Sequence, residues 1–323
     1  MNGSTTHLFI LNPKSFWNKW KWDQVVSKIQ SYFETAGDGN CSLHISRFPR
    51  EAISFIRSFA RNLSKETTLR VYAVGGDGIL FDCLNGVMGL ERAELAVIPY
   101  GHTNDFILGF GKKSKSLFRS MDRQFTAPVI PMDVIRIGKN YALNYCSIGL
   151  ESGAVRQSGQ IRKHFEKGNI INQWINRRLY TSNYIVGGLI AGMDKNLMFK
   201  QYTINIDGEI LTDSYCTIAI FNGPYYGGGM SPVKNAIPND GILNVILTRS
   251  MDIFRLYTFL PFYVTGRAGM FPRVFIPKQG RKINVSTEGH VMICLDGEVF
   301  FDNKLTLELL PGALKFVNAG VKG

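Results

Sequence analysis

The stretch AVGGDGILFDCLNG (residues 73–86) sets the reading of the whole chain. An apolar run breaks into three glycines around one aspartate. Leu80, Cys83, Leu84 and Val87 then return at helical spacing. The pattern predicts a strand, a corner of bare backbone and a helix. Such a corner suits a phosphate group, because the missing side chains open the backbone N–H groups and the helix N-terminus adds a favourable partial charge. Neither the G-x-G-x-x-G fingerprint nor the Walker lysine motif is present. Asp77 would repel a bare phosphate, so its place in the loop makes sense with Mg²⁺ between the two. A Gly-Asp-Gly turn with a helix-capping aspartate accounts for the same letters.

The flanking sequence extends the pattern. Leu8–Leu11, residues 41–48, Val71–Val74 and residues 95–99 read as strands. Between them, Trp22, Val25, Val26, Ile29 and Phe33, and later Ala52, Ile53, Ile56, Phe59, Ala60 and Leu63, recur at helical spacing. Alternating strands and helices predict a parallel sheet with helices on both faces. The loops leaving the strand ends then share one edge, where ligands bind. PYGHTNDF (99–106) is a second polar turn on that edge, with Thr103, Asn104 and Asp105 as donors and acceptors.

From about residue 128 the texture changes. MDVIRIGKNYALNY (132–145) alternates around a Gly-Lys-Asn turn, as a hairpin does. The stretches 200–211, 215–223, 241–249, 282–286 and 290–300 also read as strands, with a mostly helical stretch at 151–200 and an amphipathic one at 251–264. This half is predicted to be β-rich, in the manner of a sandwich.

Composition is that of a globular protein: 323 residues, 45% hydrophobic and 19% charged. The length favours two domains. Lys+Arg exceed Asp+Glu by 37 to 25, a net charge of +12, which favours phosphate-bearing partners or an anionic membrane face. No basic stripe interleaved with aromatics is present, so a nucleic-acid partner is not expected. The five cysteines are scattered singly, as buried thiols in a reducing compartment are. The N-terminal residues lack a signal-peptide pattern, and the apolar segments 184–193 and 256–266 are too short to span a bilayer. The expectation is a cytoplasmic protein that visits the membrane surface. GKKSKSLFR (111–119) and IRKHFEKG (161–168) are the candidates for headgroup contact, and a homodimer is left open.

Taken together, the motifs resemble the diacylglycerol kinase catalytic family in its bacterial lipid-kinase branch, which is related to sphingosine and ceramide kinases and more distantly to NAD kinases. GGDGILFDCLNGV (75–87) is similar to the family's GGDGTLNEVVNGL, and PYGHTNDFI (99–107) to its PxGTxNDFA. NPKSF (12–16) matches NPxSG in part. YYGGGMSPVKNAIPNDGILNV (225–245) resembles the glycine cluster and NAxxxDGxLxV segment, and LDGEVF (295–300) the LDGE motif. The resemblance implies an α/β-plus-β kinase. A Rossmann-like parallel-sheet nucleotide domain (1–127, with 303–323 returning to it) would be followed by a β-sandwich lipid-substrate domain (128–302), with the active site in the cleft between them.

By motif position, the ATP phosphates lie against Gly75, Gly76, Asp77 and Gly78, and the resemblance carries Ile79, Leu80, Phe81 and Asp82 into the same site. Asn12, Ser46, His102 and Asn104 line the rest. Glu298 stands where the family has its proton acceptor, with Asp296 beside it, and Asp77 holds Mg²⁺-ATP from the first domain. Asp-Gly-Glu also occurs at 207–209, where it reads as a hairpin turn; spacing alone does not separate it from 296–298. AIPNDGI (236–242) resembles the family's structural metal loop, with Asp240 and the carbonyls of Ile237 and Ile242 as ligands; an Asp-Gly turn is the alternative. Ile79, Phe81-Asp82 and His102 replace the pattern's Thr, Asn-Glu and Thr, and Phe16 replaces a Gly, narrowing the approach to the first loop. Each changes a group able to touch ATP or its metal. The expected activity is ATP-dependent phosphorylation of a hydroxyl on a diacylglycerol-like lipid. The alternatives are a catalytically weak or inactive nucleotide- or lipid-binding relative, and a kinase for a sphingoid lipid or NAD.

Overall fold

The computed structural model describes residues 4–16, 19–36, 40–166 and 180–321. The chain divides into two compact units, residues 1–132 with 312–323, and residues 133–311.

The first unit is built on parallel strands β1 (Thr5–Leu11), β2 (Cys41–Ile45), β3 (Thr68–Gly75) and β4 (Ala93–Pro99), hydrogen-bonded in the order β2-β1-β3-β4. β1 and β3 lie inside the sheet, and their unbroken apolar runs follow from burial on both faces. Phe9 on β1 and Tyr72 on β3 face each other in register and stack with ring centroids 4.1 Å apart. The helices between the strands are α1 (Lys19–Ala36), α2 (Glu51–Arg61) and α3 (Asp77–Val87). Every residue of α3 from Ile79 to Val87 is buried, because α2 closes over it. Gly86 permits that approach: a Cβ there would stand 2.7 Å from Ile56 Cδ1. Three short helices, α4 (Asp105–Leu108), α5 (Ser114–Phe118) and α6 (Met121–Thr126), lead out of the unit.

The second unit is antiparallel. β5 (Val129–Ile137) and β6 (Asn140–Ala142) form the hairpin at Gly138-Lys139, and β7 (Tyr145–Gly149) follows as a separate strand. Helices α7 (Leu150–Glu166), α8 (Tyr180–Gly192) and α9 (Lys195–Met198) precede β8 (Lys200–Ile206) and β9 (Glu209–Phe221). β10 (Leu243–Arg249), α10 (Ile253–Val264), β11 (Phe275–Gly280) and β12 (Lys282–Leu295) complete it. The last strand, β13 (Glu298–Val317), pairs with β12, and its end belongs to the first unit, where Phe316 pairs with Leu95. The second unit's strands run β11-β10-β9-β7-β12-β13.

The stretch 200–211 is two strands joined by the expected Asp207-Gly208 turn, with 215–221 continuing the second of them. Two details differ from the sequence expectation. Residues 282–286 and 290–295 belong to one strand, β12, and the stretch 290–300 breaks at the Asp296-Gly297 turn before β13. β11 was not foreseen, because Phe275–Gly280 carries a proline and two polar residues; it sits at the sheet edge, where proline costs no ladder bond. All five cysteines are free thiols, four of them buried. Among the described residues no helix is long and apolar enough to cross a membrane.

Candidate active site

The first unit's corner is made by two glycine loops packed backbone to backbone. A Cβ on Gly101 would stand 2.1 Å from the Gly76 Cα, and one on Gly75 would stand 2.6 Å from Ser15 Oγ. Only glycine fits at either position. The Gly75 carbonyl accepts three hydrogen bonds from the following loop: from the N–H groups of Tyr100 (2.9 Å) and Gly101 (2.8 Å) and from Asn104 Nδ2 (2.8 Å). Gly76 caps α3 with no side chain over the helix end. The loops at 12–16, 75–78 and 100–105 thus surround backbone donors at the start of an eleven-residue helix, an arrangement that receives anions.

Asp77, half-buried, ties the second loop to the first. Its Oδ2 accepts from Thr103 Oγ1 at 2.5 Å, and the carboxylate also takes the backbone N–H groups of Asn104 and Asp105. Burial pushes this carboxyl above the usual range; those hydrogen bonds and the charge of Lys115 pull the other way without cancelling it. Asn104, in the left-handed conformation (φ 51°), is 1% exposed, and its Oδ1 has no hydrogen-bond partner among the described residues. A carboxylate and an amide oxygen are hard donors of the type Mg²⁺ takes, so the residues present fit that ion.

The other expected residues fall around this corner with distinct local roles. The Asn12 side chain accepts from the Lys14 N–H (3.0 Å), capping the single turn at Pro13–Ser15. Ser46 is buried, and its N–H donates to the Leu11 carbonyl at 2.8 Å. His102 is exposed at the loop tip. Ile79, Leu80, Phe81 and Asp82 are all buried, and the Leu80 N–H donates to the Gly76 carbonyl. Asp82 accepts the Arg50 N–H at 2.9 Å, and the Arg50 guanidinium lies 4.3 Å from the centre of the Phe81 ring. Arg50 is left-handed (φ 70°) at the start of α2, so the Phe81-Asp82 pair fixes the turn that follows β2. Phe16 is buried in an edge-on contact with Trp22 (5.2 Å) and against Tyr100 (5.3 Å), a packing role in the first loop.

Sequence reasoning missed Arg50, Ser15 and Lys115. Arg50 lies 32 residues from its partner and has no local signal. Lys115 was read with the headgroup-binding stretch 111–119, yet its charge acts on Asp77. Arg119 of the same stretch donates to the Pro99 carbonyl (2.7 Å) and lies over the Tyr100 ring, so it holds the loop. Of the second basic stretch, residues 167–168 lie outside the described residues.

In the second unit, Asp296-Gly297 is the two-residue turn between β12 and β13, with both residues at positive φ (46° and 94°). The Asp296 carboxylate accepts the N–H groups of Leu143 (2.7 Å), Asn144 (3.0 Å) and Tyr145 (2.9 Å). It is a latch between two strands. Glu298, half-buried, is the first residue of β13. The Asp-Gly-Glu at 207–209 has the same design: Asp207 is left-handed and accepts the N–H groups of Arg281 and Lys282, each at 2.8 Å. Both copies are hairpin turns, but their glutamates differ: Glu209 is exposed and ion-paired to Lys278, whereas Glu298 is half-buried. In the 236–242 loop, Asp240 Oδ1 accepts the Ile242 N–H (3.0 Å), and the Ile237 carbonyl accepts the Asp240 N–H (3.3 Å). The Gly241 N–H donates to Asp133 at 2.7 Å. These bonds form a turn that leaves the second carboxylate oxygen and the remaining carbonyl lone pairs as hard donors. Among the described residues no cluster of three or more His, Cys, Asp or Glu stands ready for a metal.

A buried carboxyl that sequence reasoning did not single out lies in the same unit. Glu151 Oε1 accepts from Tyr226 Oη (2.8 Å) and Tyr263 Oη (2.7 Å), and burial still pushes its pKa up to about 6.

Comparison with known proteins matches both halves of the chain. Residues 6–137 match the diacylglycerol kinase catalytic domain, and residues 171–318 match the YegS C-terminal NAD kinase beta sandwich-like domain. The "Putative lipid kinase" of Staphylococcus aureus strain Mu3 / ATCC 700698 is 24% identical over 287 residues, covering 85% of this chain and 86% of the relative. A solved structure described as a "putative diacylglycerol kinase from Bacillus anthracis str. Sterne" superposes with a TM-score of 0.71 at 22% identity, over 97% of this chain and 96% of that one. A second structure, of a diacylglycerol kinase from the same organism, gives 0.67 at 22% identity over the same shares. The chain carries the glycine corner and the Asp-Gly-Glu turn in family order, on a fold shared with those structures, and its residues 6–137 belong to the diacylglycerol kinase catalytic-domain family, followed by a YegS C-terminal-type domain at 171–318.

Proposed function

We propose that the protein is an ATP- and Mg²⁺-dependent lipid kinase that phosphorylates a hydroxyl of a diacylglycerol-like lipid. Family membership and the names of the relatives support a lipid kinase in general; the nucleotide, the metal and the acceptor are this proposal's own content. The observation that carries it is the bare corner at Gly75–Gly78, held open by Gly101 and braced by Asp77, Thr103 and Asn104.

In this reading the N–H groups at the start of α3 receive the phosphate chain. Asp77, oriented by Thr103, and Asn104 Oδ1 offer oxygens to the metal. Bound Mg²⁺-ATP supplies the transferable phosphoryl group and the charge neutralisation that its transfer requires. Lys115 adds a positive charge on the Asp77 side. Glu298 accepts the proton of the attacking lipid hydroxyl, and Asp296 holds the turn that presents it. Asp240 with the Ile237 and Ile242 carbonyls would hold a structural cation.

The altered motif positions favour a working site over a decayed one. Ile79 is packed beneath the glycine corner, and Phe81 and Asp82 jointly hold Arg50, so these departures are integrated into the fold. The test is transfer of labelled γ-phosphate from ATP to an acceptor panel of diacylglycerol, ceramide, sphingosine and NAD in mixed micelles. Labelled diacylglycerol as the main product supports the proposal. Labelled NAD or sphingosine reassigns the acceptor, and ATP binding with no labelled product from any acceptor makes the protein a non-catalytic relative.

A further inference from the structure

Helix α8 is built inside out for a helix in water. Its small residues face the protein. A Cβ on Gly187 would stand 2.6 Å from the Ala154 carbonyl of α7, one on Gly188 2.9 Å from Tyr257 Oη, and one on Gly192 2.2 Å from Ile253 of α10. Ala191, one turn after Gly187, is 3% exposed. The large aliphatic residues point the other way: Ile185 is 41% exposed, Val186 44%, Leu189 44% and Ile190 42%. Met193 (81%) and Phe254 (85%) continue this surface, since Tyr257 Oη donates to the Ile185 carbonyl and Ile253 packs on Gly192, placing α10 beside α8.

A helix on the surface of a water-soluble fold buries its large apolar side chains and exposes polar ones. Small residues at the helix contact and large aliphatics outside is the arrangement found where the surrounding medium is lipid. At thirteen residues, α8 is about 20 Å long, short of the roughly 30 Å hydrocarbon core, so it can lie in a bilayer surface and not cross it.

We propose that the outer face of α8, with Met193 and Phe254, seats the protein in the interface of an anionic phospholipid bilayer. The inference deepens the lipid-kinase proposal and rests on it for why the occupant is a membrane. Charge favours that occupant over a second copy of the chain. Lys195 and Arg255 are exposed at the rim of the patch, next to Met193 and Phe254, and the chain carries +12 overall. The nearby Asp194 and Asp252 are exposed too and cap helices, accepting the N–H groups of Asn196 and Arg255, so the rim is locally balanced and the preference comes from the chain's overall charge. Two copies of a chain of net charge +12 repel one another overall, whereas lipid phosphates attract it.

The experiment is co-flotation of the full chain, without nucleotide, on phosphatidylcholine vesicles with and without phosphatidylglycerol. Wild type is compared with Leu189→Ser/Phe254→Ser and with Met193→Asp. The inference expects wild type to float with the anionic vesicles, each variant to lose ~10-fold or more of its partitioning, and all to unfold at the same temperature. Should a variant not fold, a fluorophore on Met193→Cys serves instead: its emission shifts to the blue on vesicles if the face inserts. Undiminished flotation of folded variants, or an unshifted label, overturns the inference. So does a dimer in vesicle-free buffer that these variants dissolve, which would make the face an interface between copies. Flotation requires no phosphate transfer, so vesicle binding through this face by a protein without kinase activity would sink the kinase proposal alone.

Discussion

Thr103 Oγ1 donates to Asp77 Oδ2 at 2.5 Å, joining the two loops that leave neighbouring strands β3 and β4. This bond fixes the direction of the Asp77 carboxylate. Thr103→Val keeps the shape and removes the donor. The expected outcome is a loss of about 1–3 kcal/mol in stability and a raised KM for ATP, with kcat less affected. Urea titration and steady-state kinetics check both; an unchanged KM would remove the bond from the account of the site.

Gly101 and Gly159 set up a contrast between two glycine-to-alanine substitutions. At Gly101 the new methyl meets the Gly76 backbone at 2.1 Å; at Gly159, inside α7, nothing lies within 4 Å. Gly101→Ala is expected to cost about 1–3 kcal/mol and to abolish ATP binding. Gly159→Ala is expected to add about 0.5–1 kcal/mol with ATP binding intact. Thermal unfolding with calorimetric titration of ATP reads both.

Asp296 and Glu298 are two residues apart and are expected to fail differently. Asp296→Ala leaves three backbone N–H groups of residues 143–145 without their acceptor, and stability falls by about 3 kcal/mol. Glu298→Gln is expected to stay within about 0.5 kcal/mol of wild type while losing phosphate transfer. Equal destabilisation by the two would count against the separate roles.

Glu151 gives the protein a pH dependence of known sign. Its folded pKa is about 6 against an ordinary 4.5, raised by burial and opposed by the Tyr263 and Tyr226 hydrogen bonds. Between those values the folded state holds a proton that the unfolded state has released. The contribution is therefore full below pH 4.5 and is lost as pH rises through about 6. It amounts to about 2 kcal/mol, from 1.36 kcal/mol per pKa unit. Urea unfolding from pH 4.5 to 7 is expected to show this decline in wild type and to lack it in Glu151→Gln; parallel curves would remove Glu151 as the source.

The corner and the parallel strands were legible because their signals are local. Residues 73–87 carry the strand, the glycines and the helical period in one run, and β1 and β3 announce burial on both faces by their apolar runs. The antiparallel half was legible as strands and less so as pairings. Asp296-Gly297 breaks the stretch 290–300, which reads as one strand, and β11 lacks the apolar content that marks a strand. What escaped were contacts between residues far apart in sequence. Arg50 on Asp82, Lys115 acting on Asp77, and the two tyrosines on Glu151 join segments that no window of sequence sees together. The two Asp-Gly-Glu turns show the opposite limit: they match in letters and in turn conformation, and only the structure separates Glu209, exposed and ion-paired to Lys278, from the half-buried Glu298.

The central claim is tested most directly by following labelled γ-phosphate from ATP into diacylglycerol micelles, with wild type and Glu298→Gln side by side and ATP affinity measured for each. The account predicts labelled lipid from wild type, at least ~100-fold less from the variant, and equal ATP affinity for both. Labelled lipid at the wild-type rate from Glu298→Gln, or none from wild type despite bound ATP, would contradict it.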